Sequence, residues 1–264
     1  MDLQEDGLIY TPSQVTESLE MSYPGSASRK KAEGYIELIY DIDQQGTPIN
    51  LRFNRISGID IFETLIERNI NDWNYLPATV DGMPIVQKNL LRTFNFSITK
   101  LSNKFPEPLM RKNFANTYLE MRRLLKEEKS AELGEMLKMM EKAKIVRFSE
   151  NRQFSLVKFT YLDKTGGIVQ DKILTLERAI KGDARAEKTK KSYSKIKAML
   201  FKLYVLNQQY IQAIIQYNDL RNSEFSESLL PELAPLLEIA NAKLRSGEPL
   251  KATIKVDATE ITTH

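Results

Sequence analysis

The chain has 264 residues with 38 Lys and Arg against 35 Asp and Glu, and its 42% hydrophobic share is that of a folded globular protein rather than a disordered or fibrous one. A formal charge of only +3, with acids interleaved among the bases, builds no strong field for nucleic acid or anionic membrane. Cysteine is absent and the only histidine is His264, which excludes thiol catalysis, disulfides, Cys/His zinc sites and a buried imidazole base.

No run approaches the roughly 20 consecutive apolar residues that span a bilayer, so a membrane connection is expected only through an anchor or partners outside this chain. The start, Met1-Asp2-Leu3-Gln4-Glu5-Asp6, is acidic and lacks an apolar signal core. A signal peptide or anchor is therefore expected to be absent or to have lain upstream. The length admits two domains.

The first hundred residues predict an α+β domain in the order β-β-α-β. Asp41-Ile42-Asp43-Gln44-Gln45-Gly46 is a turn between two alternating runs, which predicts a hairpin. Ile36, Leu38, Tyr40 and Ile42 share one face of the first run, and Ile49, Leu51 and Phe53 share one face of the second. Asp60 followed by Glu63 reads as a capping box, after which Phe62, Ile66, Ile70 and Trp73 form an apolar helical stripe. Pro77 and Asp81-Gly82-Met83-Pro84 end that helix, and Leu90, Phe94, Phe96 and Ile98 alternate through a third strand. Arg92 interrupts that strand's apolar face, which predicts a position at or near a sheet edge.

An ordered set of residues now resembles one family pattern: Tyr23-Pro24, Glu33-Gly34-Tyr35, Asp41 to Gly46, Asp72-Trp73-Asn74-Tyr75, Pro77-Ala78 and Gly82-Met83-Pro84. Together they resemble the TonB C-terminal domain over residues 15–99. The resemblance implies a periplasmic domain that pairs an extended segment with a short peptide of an outer-membrane receptor, by strand addition. It makes Leu91, Arg92, Thr93, Asn95 and Ser97 the candidate peptide-binding edge, and Glu20, Met21, Ser22 and Tyr23, before the first helix, a second candidate. Two departures stand out. Leu19-Glu20-Met21-Ser22 replaces the polar, often glutamine- and proline-containing stretch usual before the Tyr-Pro pair, and a long remainder follows where typical transducers end.

That remainder turns helical after Pro106. Seven helices are expected, carried by Phe114, Tyr118, Met121 and Leu125; by Leu133, Leu137 and Met140; by Phe154, Val157 and Tyr161; by Ile173, Leu176 and Ile180; by Ile196, Leu200 and Leu203; by Tyr210, Ile214 and Tyr217; and by Leu230, Leu233, Leu237 and Leu244. Short turns between them predict stacked helical hairpins, an all-α array. Pair starts near Lys112, Asn151 and Lys190 recur at roughly forty residues, looser than the 34 of a tetratricopeptide repeat. The third pair is the best match, with Leu200, Tyr204, Tyr210, Ala213 and Tyr217 in packing positions but Phe201 where a small residue is usual. The region thus resembles a tetratricopeptide-like solenoid, with a generic α-solenoid as the alternative. That resemblance implies a concave protein-binding face, for which Tyr193, Tyr204 and Tyr210 are candidates.

The expected division is residues 1–102, 103–248, and a tail of 249–264 in which Leu250 to Val256 alternates like a short strand and Ile261 to His264 is loose. Trp73 reads as core rather than ligand stacking, and Met136 and Met140 as packing beside Leu133 and Leu137. Asp41 and Asp43 lack the glutamate of a calcium loop, and Gly166-Gly167 lacks the spacing of a phosphate loop, so no metal or cofactor is expected. No catalytic nucleophile, base and orienting group assemble from these motifs. The expectation is a non-enzymatic periplasmic interaction protein: a TonB-like transducer or accessory whose repeats recruit a further envelope protein, or else a structural adaptor or cell-wall-associated scaffold without receptor energisation.

Overall fold

The computed structural model describes residues 9–17, 21–98, 110–143, 145–182, 191–246 and 258–262, the last by backbone alone. Glu20, the proline-containing stretch at Pro106 and Pro108, the expected strand from Leu250 to Val256, and Thr263 and His264 lie outside them. The chain divides into two compact units, one of residues 1–102 with 255–264 and one of residues 103–254.

In the first unit, strands β1 (Tyr10–Thr11) and β2 (Gln14–Glu17) precede a short helix α1 (Gly25–Lys30), which Lys31 closes in the left-handed conformation at φ 48°. β3 (Gly34–Ile42) and β4 (Pro48–Ser57) then form the expected hairpin. Asp43 builds its turn: the carboxylate accepts the amides of Gln45 and Thr47 at 2.9 and 2.8 Å, the Asx geometry that favours Asp in turns. Gly46 sits at φ 83°, where a Cβ would stand 2.2 Å from the carbonyl oxygen of Tyr75.

Helix α2 (Asp60–Ile70) lays Phe62, Ile66 and Ile70 into the core with Ile36, Leu38 and Ile42 of β3, all fully buried. Burial of each such side chain contributes about 1.5–3 kcal/mol. The close approach depends on Gly34, whose added Cβ would lie 2.5 Å from the Phe62 ring. The expected capping box is not formed. Ile59 is the N-cap, without a side-chain cap bond, and Asp60 and Glu63 instead clamp Arg55 of β4 in a forked ion pair, 2.8–2.9 Å for the two bonds to Glu63. A guanidinium offers a stronger, two-pronged partner than a lone backbone amide does.

After α2 come three short strands, β5 (Asn74–Leu76), β6 (Ala78–Val80) and β7 (Met83–Ile85), and the long β8 (Gln87–Ser97). The amino-terminal arm pairs antiparallel with them, β1 on β6 and β2 on β5. The principal sheet has the order β4-β3-β8-β9, where β9 (Ala258–Thr262) lies beyond the last helix in sequence and pairs parallel with β8. This corrects two expectations at once. Ile261 and Thr262 belong to a strand rather than a loose tail, and β8 is flanked by strands on both sides over Thr93 to Phe96.

Among its described residues the second unit contains the seven expected helices: α3 (Lys112–Lys126), α4 (Ser130–Lys142), α5 (Phe148–Lys164), α6 (Val169–Ile180), α7 (Lys191–Leu206), α8 (Tyr210–Arg221) and α9 (Leu230–Arg245). Each packs on the next along the chain, and α3 and α7 also reach the helix after that. Two apolar clusters result. Phe114, Met121, Leu124, Leu133, Leu137, Phe154 and Val157 form one, across α3 to α5. Ile173, Leu176, Ile196, Leu200, Phe201, Ala213 and Leu233 lead the other, across α6 to α9. Helix α5 serves both, since Leu156 and Phe159 pack on the second cluster while Phe154 and Val157 fill the first. A helix buried on opposite sides carries no single apolar stripe.

Candidate functional site

Strand β8 is the site on which sequence and structure converge. On its β3 side it pairs antiparallel from Gly34↔Phe96 through Ile42↔Gln87. Its other side takes β9 in parallel register, with Thr93↔Ala258, Phe94↔Thr259, Asn95↔Glu260, Phe96↔Ile261 and Ser97↔Thr262 as Cα partners. The chain has therefore already performed strand addition on the edge that sequence reasoning singled out.

Each candidate residue of that edge has a definite place. Arg92 lies just before the stretch that β9 covers, with a strand partner only on the β3 side, so it is near the sheet edge as expected; its guanidinium also lies 4.0 Å from the Trp73 ring centroid, a cation–π contact that accommodates a charge on an otherwise apolar face. Trp73 is itself buried and tilts against Phe94, so it is core as expected. Thr93 and Asn95, expected at the sheet's outer edge, are buried at 6% and 9% exposure because β8 is an interior strand there. Leu91 and Ser97 are half-buried.

The segment before α1 is likewise tied down. Tyr23 sets its ring edge-on to Phe62 and Phe96, with centroids at 5.7 and 6.5 Å, and its hydroxyl donates to the Ala32 carbonyl. Burial, and then the nearby Glu33 carboxylate, pushes the phenol above the ordinary tyrosine range. Met21 is half-buried and Ser22 exposed. Beside β8, the phenol oxygens of Tyr40 and Tyr75 lie 3.1 Å apart, and burial followed by that bond raises the Tyr75 phenol.

At the start of β8, Asp41 is a buried carboxylate that accepts the side-chain amide of Asn50 and the backbone amide of Asn89, both at 2.8 Å. Asn50 and Asn89 both hold positive φ, 57° and 59°. The Asn50 bond first, and the Asn89 amide next, hold the Asp41 carboxyl below the usual range. The network locks the junction of β3, β4 and β8, which sequence reasoning treated only as a hairpin turn.

In the helical unit, two of the three tyrosines expected on a concave face are interior. Tyr193 is fully buried, and its hydroxyl accepts from Arg152 at 3.0 Å while the guanidinium lies 5.2 Å from its ring. Tyr204 is 6% exposed and donates to Glu177 at 2.6 Å; burial first, then Glu177, raises its phenol. Both therefore pack the array rather than line an open surface. Tyr210 is half-buried against the second cluster. The reading also missed a buried polar run at the start of α5, Ser149 to Arg152. There the fully buried Glu150 takes the Arg111 guanidinium at 2.8 Å and the amides of Arg111 and Val146 at 2.9 and 3.1 Å. An open groove of about 570 Å³ between α3 and α5 is lined by Leu119 and Leu125 and rimmed by Arg122, Lys126 and Lys164.

Among the described residues, no group of three or more His, Cys, Asp or Glu side chains could hold a metal ion, and no helix is long and apolar enough to cross a membrane. The geometry thus defines a sheet module able to add a parallel strand to its own ladder. Residues 20–98 match the family model described as Gram-negative bacterial TonB protein C-terminal. That stretch is similar to a TonB C-terminal domain, a family whose name points to the cell envelope. No curated protein matches the chain.

Proposed function

We propose that the chain is a non-enzymatic, periplasmic interaction protein of TonB-dependent outer-membrane transport, acting as an energy transducer or its accessory. The sheet unit takes an extended receptor peptide as an added strand, and the helical unit, read as a tetratricopeptide-like array, holds a further envelope protein. The observation that carries this reading is the family match over residues 20–98 together with a β8 ladder that accepts a parallel strand beyond β3. Strand addition draws affinity from main-chain hydrogen bonds, so it needs no catalytic or metal-binding side chains.

The test is a panel of synthetic peptides from the periplasm-facing amino-terminal segments of outer-membrane transport proteins, titrated to millimolar concentration against the intact chain with amide exchange as readout. A binding peptide that alters exchange along β8 and leaves α3 to α9 unchanged supports the reading. Absence of binding across the panel, or protection confined to the helices, contradicts it. The coverage of β8 by β9 favours one other reading, a structural adaptor that keeps the TonB-like fold without engaging a receptor.

A further inference from the structure

The open groove between α3 and α5 combines an apolar floor with a cationic rim. On the floor, Leu119 stands 64% exposed, and Leu125 is half-buried against the first apolar cluster. A single exposed leucine is ordinary on a protein surface, so the charges around it decide what the groove suits. Arg122, Arg123, Lys126 and Lys164 line it, and among the described residues no carboxylate does. Two of these cations are already matched: Arg123 grips Glu120 and Glu127, each at 2.6 Å, and Lys164 reaches Glu128 at 3.3 Å. The other two have no carboxylate partner among the described residues. Arg122 finds only Tyr118, its hydroxyl at 3.5 Å and its ring centroid at 5.9 Å, and Lys126 makes no ion pair.

Arg122 and Lys126 lie one turn apart on α3, with Leu119 on the same face one turn before them. Like charges at that spacing repel, a small cost that the helix carries unrelieved and that a carboxylate set between them turns into attraction. We propose that the groove is a docking site for an acidic, leucine-bearing peptide segment of a partner protein. Its apolar side chain covers Leu119 and Leu125, and its carboxylates face Arg122 and Lys126. The proposal rests on the reading of the helical unit as the holder of a second protein, and it names that partner's chemistry. The two cations are about 6 Å apart along the helix axis, so acids two positions apart in an extended peptide, or four apart in a helical one, reach both. Nucleic acid and anionic membrane fit less well. Glu120, Glu127 and Glu128 flank the groove, so a long polyanion or a flat anionic surface meets those acids too, whereas a narrow peptide lies between them.

The experiment offers a random twelve-residue peptide library to the intact chain. Enriched sequences are then made with a fluorescein label and titrated by polarisation against the native chain and its variants. The expected motif joins a leucine to two acids, two or four positions apart. Arg122→Gln/Lys126→Gln is expected to weaken such peptides about tenfold, and raising the salt to about 0.5 M should weaken the native chain's binding similarly. Leu119→Ala should weaken them about fivefold, which simple ion exchange would not do. Met139→Ala, at an equally exposed position on α4, should leave them unchanged. All these side chains are exposed, so each variant is expected to melt as the native chain does. Enriched peptides that lack acids, or binding that survives the change at Arg122 and Lys126, overturn the proposal while leaving the helical unit as a protein holder. If no enriched peptide protects any of α3 to α9 from amide exchange, both readings fall. Phosphatidylglycerol vesicles that bind through the same two cations, while no peptide is selected, overturn it in favour of a lipid surface.

Discussion

At the scale of single residues, the sheet unit depends on contacts that leave no room for change. Gly34 faces the Phe62 ring so closely that a methyl group there would sit 2.5 Å from it, and both are fully enclosed. Gly34→Ala is expected to destabilise the unit by about 1–3 kcal/mol, the usual cost of overpacking, measured by urea unfolding with tryptophan fluorescence of Trp73 as reporter. Asp41 gives the unit a pH dependence. Its native carboxyl titrates below the ordinary value because Asn50 and the Asn89 amide bind the ionised form. Its share of stability is therefore complete above about pH 5 and is lost as the pH falls through the depressed native value. The melting temperature should fall more steeply in acid for the native chain than for Asp41→Asn; parallel pH profiles would show that the network is not formed in solution.

At the scale of elements, legibility followed the source of each element's stability. The hairpin of β3 and β4 and all seven helices of the second unit announce themselves through periodic burial, and Ile36, Leu38, Met121 and Leu200 are buried where the period puts them. Elements held by the main chain or by buried polar pairs left no such trace. β1, β2 and β9 are short strands with mostly polar sequences, and their partners lie far away in the chain. For the same reason Thr93 and Asn95 looked like edge residues, since nothing near them in sequence reveals a fourth strand. Asp60 and Glu63 imitated a capping box because the pattern does not encode Arg55, and the contact of Arg92 with the Trp73 ring is likewise absent from the pattern. The buried polar run from Ser149 to Arg152 carries no apolar period to announce it, and its Glu150 is held by Arg111 from far back in the chain. Glu150→Ala strips the acceptor from the buried amides of Arg111 and Val146, so the second unit should lose about 1–3 kcal/mol. Glu150→Gln, which keeps one acceptor oxygen, should lose less; equal losses would mean that packing rather than hydrogen bonding holds the start of α5.

At the scale of the whole molecule, each unit has a complete apolar core of its own, the property that lets a domain fold alone. Residues 1–102 and 103–254, expressed apart, are expected to give two pieces that each melt cooperatively in calorimetry. Failure of both to fold would show that the two units share one cooperative core. The division differs from the sequence-based one in returning residues 255–264 to the sheet unit, and that return links the two ends of the account. The outer side of β8 carries β9 in parallel register.

Residue-resolved hydrogen exchange of the β8 amides tests this most directly, with the intact chain compared against the chain ending at Val256. Successive amides of a strand point to opposite neighbours, one toward β3 and the next toward β9. The account predicts that between Thr93 and Ser97 alternate amides lose protection on shortening, while those bonded to β3 keep theirs and the core around Phe62 is unchanged. Protection that is the same in both chains throughout Thr93 to Ser97 would contradict it, because β9 would then not occupy the edge of β8 in solution.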